Sequence, residues 1–126
     1  MTRLALIALV VPDYDQAIAH YCDDLGFTLI KDEPQGAKRR SVVGAPNGGS
    51  EILLAKADRR DQAARIGNQT GGRVSFFLET DDFGRDFKAF SEKGVAFEEA
   101  PRTEPYGTVA VFRDFFGNRW DLIQSA

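Results

Sequence analysis

Histidine, cysteine, methionine and tryptophan each occur once in this 126-residue chain, and that scarcity closes several routes. A lone cysteine, Cys22, can form neither an intrachain disulfide nor a cysteine-rich metal site. With no second imidazole to hold it as a thiolate, Cys22 reads as a packing residue of a helix. One histidine cannot supply the two imidazoles of a 2-His-1-carboxylate iron centre. No apolar stretch reaches the ~20 residues of a membrane span. The opening run, Leu4 to Val11, stops at Pro12 and Asp13, and no small-residue cleavage site follows it. Charge of one sign is also missing: 16 Lys and Arg against 19 Asp and Glu leave a net charge of -3, with no clustered positive excess for nucleic acid or anionic lipid. A cytoplasmic protein with neither a nucleic acid nor a membrane as partner is expected.

What the chain does have is a repeated grammar. Leu4 to Val11 reads as a buried strand, and Asp13 as the cap of a helix over Tyr14 to Asp24 that stops at Leu25-Gly26. Tyr14, Ile18, Tyr21 and Leu25 make one apolar face, which leaves Gln16, His20 and Asp24 on the solvated side. The pattern returns at an offset of 69 residues, from Asp13 to Asp82: a strand from Arg73 to Leu78, then a helix carrying Phe83, Phe87 and Phe90, then Gly94. Extended segments follow each helix, at Phe27 to Lys31, Arg39 to Gly44 and Glu51 to Ala55, and at Val95 to Glu99, Thr108 to Arg113 and Arg119 to Gln124. Each half therefore reads βαβββ, over about residues 1-56 and 72-126. The intervening Lys56 to Gly72 serves as linker or lid, its charged part a helical turn. Neither half can bury both faces of its sheet, so the expected architecture is α+β, a tandem of modules whose eight strands curve round one cleft with helices outside.

The segments LALIALVVPDYDQAIAHYCDDLGF and VAVFRDFFGNRWDLIQ resemble the opening and the close of vicinal-oxygen-chelate proteins, the glyoxalase, bleomycin-resistance and dioxygenase superfamily. The resemblance spans the chain and implies the tandem βαβββ fold. It also implies four metal-ligand positions, which fall here on Leu6, Glu51, Ser75 and Asp121. Histidine stands at none of them, and two carboxylates remain. Strand alternation fits that placement, since side chains two apart share a face. Ile7, Leu9 and Val11 would meet the helix while Leu6, Ala8 and Val10 face the cleft. Val74, Phe76 and Leu78 suit the core, while Arg73, Ser75, Phe77 and Glu79 suit a pocket.

Two carboxylates in one cleft require protonation or a cation, for which Arg39, Arg40, Arg73 and Arg119 are candidates. Of the run Lys38-Arg39-Arg40, alternation must turn either Arg39 or Arg40 inward. Tyr106, in Pro105-Tyr106-Gly107, is placed to aim a hydroxyl over the cup. The candidate reactive set is thus Glu51, Asp121 and Tyr106, with Leu6, Leu53, Arg73, Ser75, Phe77 and Phe112 lining the ligand pocket and no metal ligands. Gly48-Gly49 and Gly71-Gly72 are turn glycines without a phosphate-loop context.

The function this implies is metal-independent capture of a small organic ligand by a homodimer, with no cofactor. The alternatives are a glyoxalase-like lyase or isomerase built on a divalent metal with atypical ligands, and a structural or regulatory partner whose pocket is vestigial. Extradiol dioxygenase chemistry lacks its ligands.

Overall fold

The structure, a computed structural model, describes all of residues 1–126. The chain divides into two compact units, Met1–Ile66 and Gly67–Ala126, so the linker's helical turn belongs with the first half.

The first unit runs β1 (Leu6–Val11), α1 (Tyr14–Ala19), β2 (Thr28–Gln35), β3 (Lys38–Gly44), β4 (Glu51–Lys56) and a short α2 (Arg60–Ala63). Its sheet has the order β1-β4-β3-β2. β1 lies parallel to β4, and the other pairings are antiparallel. Asp13 caps α1 by accepting from the Gln16 amide at 2.8 Å. Leu9, Val11, Ile52 and Leu54 are buried beneath the helix residues Tyr14, Ala17 and Tyr21, as the alternation requires. Ile7 departs from it, being 36% exposed.

Past Ala19 the helix widens into a π-helical turn, His20–Asp24, closed by Leu25 N donating to His20 O at 3.3 Å. The extra residue in that turn brings His20 and Tyr21 together onto the buried side. His20 is therefore not on the solvated face that 3.6-residue spacing assigns it. It is 6% exposed, and its Nδ1 lies 2.9 Å from Asp24 Oδ2.

The second unit repeats the plan with β5 (Val74–Glu79), α3 (Phe83–Glu92), β6 (Ala96–Phe97), β7 (Arg102–Glu104), β8 (Gly107–Arg113) and β9 (Arg119–Ser125). The sheet order is β5-β9-β8-β6, again with its first strand parallel to its last. Asp82 caps α3 through the Arg85 amide at 3.1 Å. The strand expected over Val95 to Glu99 is reduced to β6, and an additional short strand, β7, follows it; both pair with β8, so the chain has nine strands rather than eight. Gly107 begins β8 at φ +147, where any Cβ would sit 2.1 Å from the Gln124 carbonyl oxygen.

Aromatic packing fills the space between this sheet and α3. Phe112 meets Phe90 of α3 edge-on at 5.5 Å and stacks on Trp120 at 5.7 Å. Asp114, at the β8–β9 hairpin, accepts from Trp120 Nε1 at 3.0 Å and from the Phe116 and Asn118 amides, which fixes the hairpin under the stack.

Phe112 is thus a core residue, not part of a pocket lining. It pairs with Trp120 across β8 and β9, while Asp121 pairs with Val111, so Phe112 and Asp121 cannot share a face. Phe112→Ala is expected to cost about 3–5 kcal/mol in urea unfolding, the usual loss for an emptied aromatic core position. A cost under about 1 kcal/mol, the range of surface substitutions, would return Phe112 to an exposed lining role.

Candidate functional site

Strand parity sorts each sheet into a face that meets its helix and a far face. In the first unit the far face carries Leu6, paired with Glu51, and Ala8, paired with Leu53. Leu6, Glu51 and Leu53 are each half-buried and share this face. Glu51 sits beside Gly44 and Ile30, with its Cγ 3.4 Å from where a Gly44 Cβ would be.

In the second unit Phe77 pairs with Asp121, and Asp121 with Val111, so these three form a row across the far face. Phe77 is 69% exposed, an unusual position for so large an apolar ring. Asp121 is half-buried, and its Oδ1 is fully buried without a hydrogen-bond partner. Burial pushes the Asp121 carboxyl above the usual range, and neighbouring Glu99 adds to that, while Arg102 and Arg119 oppose it.

Arg102 organises this face, and no sequence argument singled it out. Its Nε donates to Glu99 Oε1 at 3.1 Å and its Nη1 to Glu104 Oε1 at 2.6 Å and Tyr106 Oη at 3.3 Å. Those partners raise the guanidinium's pKa, with Tyr106 contributing most. Glu99 Oε1 also accepts the Val111 amide at 3.1 Å, which ties the cluster to the middle of β8. The one available signal was the two-residue spacing of Arg102 and Glu104, hidden in a Pro-flanked segment that reads as a loop.

Arg39 does not neutralise the far-face carboxylates, because it is held by Asp15 at 2.9 Å and Asp32 at 2.8 Å. Arg119 is bound mainly by Glu98, at 2.9 and 3.0 Å, and acts on Asp121 only through its field. Ser75 lies at an irregularity between Val74 and Phe76 that leaves it out of register with β9, and its hydroxyl is 2.9 Å from Thr70 Oγ1. Arg73 is exposed and makes no ion pair. Tyr106 is 52% exposed at the β7–β8 turn, engaged by Arg102.

A family-type metal does not fit these residues. Leu6 has no donor atom, the Ser75 hydroxyl is engaged, and no three His, Cys, Asp or Glu side chains are placed to hold an ion.

A separate recess of about 340 Å³ opens at the end of the first sheet and takes residues of both faces, Val10, Arg40, Leu53 and Ala55 from the far face and Leu54 and Lys56 from the helix face. Leu53 is the one predicted lining residue it contains.

A family profile described as the glyoxalase/bleomycin resistance protein/dioxygenase superfamily matches residues 3–122. The chain belongs to that superfamily. It is similar to an uncharacterised protein of Shewanella frigidimarina, 50% identical over 121 residues that cover 94% of this chain and 90% of that one. It is also similar to YurT of Bacillus subtilis, at 27% identity over 97% and 98% of the two chains. Among solved structures, UcmS2 matches at TM-score 0.85 and 30% identity, covering 98% of each chain. TnmS3, described as an antibiotic binding protein from Streptomyces sp. CB03234, matches at TM-score 0.81 and 26% identity, covering 100% of this chain and 98% of its own. Apart from β7, which pairs with β8 alone, the two sheets carry the same strand order. No helix is long and apolar enough to cross a membrane.

The raised Asp121 pKa has a definite sign. Protonation is favoured in the folded chain, so this group's contribution to stability is full below its unfolded pKa and is lost as pH rises through the folded value. A carbon-13 titration of the Asp121 carboxyl should give a midpoint above the ordinary 3.8, and Asp121→Asn should gain stability on wild type between acid and neutral pH. A midpoint at or below 3.8 would contradict the burial argument.

Proposed function

We propose that this chain is a metal-independent binding protein that captures a small organic molecule on the far faces of its sheets. The observation that carries the reading is the composition of those faces. In the first unit Leu6 and Leu53 flank Glu51, and in the second Phe77 flanks Asp121 and the Arg102–Tyr106 pair, so each far face by itself sets apolar surface beside a few directed polar groups, the mixture typical of small-molecule sites. Leucine and serine stand where the superfamily resemblance implies histidine, which favours capture over metal-assisted chemistry. The description of the similar TnmS3 as an antibiotic binding protein supports the same class of function. A cytoplasmic location is part of this reading.

Asp121 supplies the most informative contact. Its buried Oδ1 has no partner in the chain, so a ligand donor can complete it, or its proton can be donated to a ligand acceptor. For a ligand found by a melting-shift screen, Asp121→Asn or Glu51→Gln, according to the face it occupies, should weaken binding by about 1–3 kcal/mol while leaving the fold intact. Elemental analysis should find well under one metal per chain. If both substitutions lower the melting temperature and leave affinity unchanged, the carboxylates are structural and the site assignment fails.

A homodimer belongs to the same proposal. β2 is the outer strand of its sheet, and all eight of its residues are exposed, including Leu29 at 42% and Ile30 at 46%. Apolar side chains on an uncovered sheet edge are costly to leave in water. Light scattering should report about twice 13.9 kDa, and a monomer at micromolar concentration would contradict it.

A further inference from the structure

We propose that the recess at the end of the first sheet binds a small amphipathic anion, an organic carboxylate, sulfonate or phosphate with an apolar body, and that Arg40 and Lys56 receive the charge. The proposal rests on the reading of the chain as a small-molecule binder and names the ligand class.

Charge sets this recess apart. Lys38, Arg39, Arg40 and Lys56 line it against the single carboxylate of Asp58, in a chain whose net charge is -3. Two of the four cations are already engaged. Arg39 is held by Asp15 and Asp32 with its guanidinium 5.1 Å from the centre of the Tyr14 ring, and Lys38 lies 3.5 Å from Asp58. Arg40 and Lys56 make no ion pair. Arg40 faces Glu33 in the β2–β3 register, yet the two are not bonded.

Position makes the unpaired arginine informative. Arg39 and Ser41 point to the helix side, where Asp32 binds both, so Arg40 between them points to the far face. There it is half-buried next to Val10, Leu53 and Ala55. A guanidinium partly withdrawn from water with no counter-charge is poorly solvated, and an incoming anion repairs that deficit. The apolar strand residues form a floor for the ligand body. At about 340 Å³ the recess falls within the usual span of ligand pockets, roughly 300–1,000 Å³.

Two probes that differ only in charge test this: 8-anilinonaphthalene-1-sulfonate and N-phenyl-1-naphthylamine, the same ring system without the sulfonate. In fluorescence titrations of the full chain the sulfonate should bind at least about tenfold more tightly, as a charge-assisted contact implies. Arg40→Gln and Lys56→Gln should each weaken the sulfonate by about three- to thirtyfold and leave the neutral probe unchanged. Lys93→Gln, on the other unit, should be silent. Should Arg40→Gln fail to fold, the exposed Lys56 carries the test. Equal binding of the two probes, with Arg40→Gln and Lys56→Gln silent, overturns the anion assignment and leaves the small-molecule reading standing. A loss in Lys93→Gln as large as in Arg40→Gln also overturns it, by showing that the probe follows overall charge. If neither probe binds, the anion assignment falls; if the melting-shift screen is empty as well, the small-molecule reading falls with it.

Discussion

A helix lies against one face of each sheet, and because strand side chains alternate, that contact sorts every strand residue into core or far face. Leu54 and Trp120 are buried at 1% and 2% exposure, while their neighbours Leu53 and Asp121 keep partial access. The partition is held in the second unit by the stack of Phe90, Phe112 and Trp120, and in the first by Tyr14, Ala17 and Tyr21 on Leu9 and Leu54. A one-residue slip of β9 would exchange Trp120 for Asp121 in the core, placing a carboxylate against α3. Register and site are thus one constraint.

The polar groups of the far faces are consequences of that constraint rather than additions to it. Asp121 lies between Trp120 and Leu122, both buried on the helix side, which holds its carboxylate on the far face, where Oδ1 is buried without a partner. Arg102 reaches the same face from a short edge strand and is spread over Glu99, Glu104 and Tyr106. Three partners for one guanidinium fix its position, and a fixed donor set beside a half-buried acid is a suitable frame for ligand polar groups.

Much of the fold was legible because its cues were local. Asp13 and Asp82 cap their helices as read, Gly26 and Gly94 follow them at positive φ, and the 69-residue offset marks the two halves as repeats of one βαβββ plan. The failures came where tertiary geometry overrode spacing. Ideal helical periodicity assigns His20 to the solvated face, and a π-helical turn breaks that periodicity. Ser75 was placed by strict alternation, which an irregularity in β5 interrupts. Phe112 required the cross-strand register with Trp120, which no single strand reveals. Arg102 and the cationic recess depend on which charges find partners, and pairing is a property of the folded chain.

The claim that a ligand is held in the recess at the end of the first sheet is tested most directly by methyl NMR of the protein with 8-anilinonaphthalene-1-sulfonate. Val10, Leu53 and Leu54 are expected to shift on titration, while Leu9 and Ile52, buried away from the recess, stay in place. Equal shifts across all five residues, or shifts confined to Leu9 and Ile52, would contradict the account.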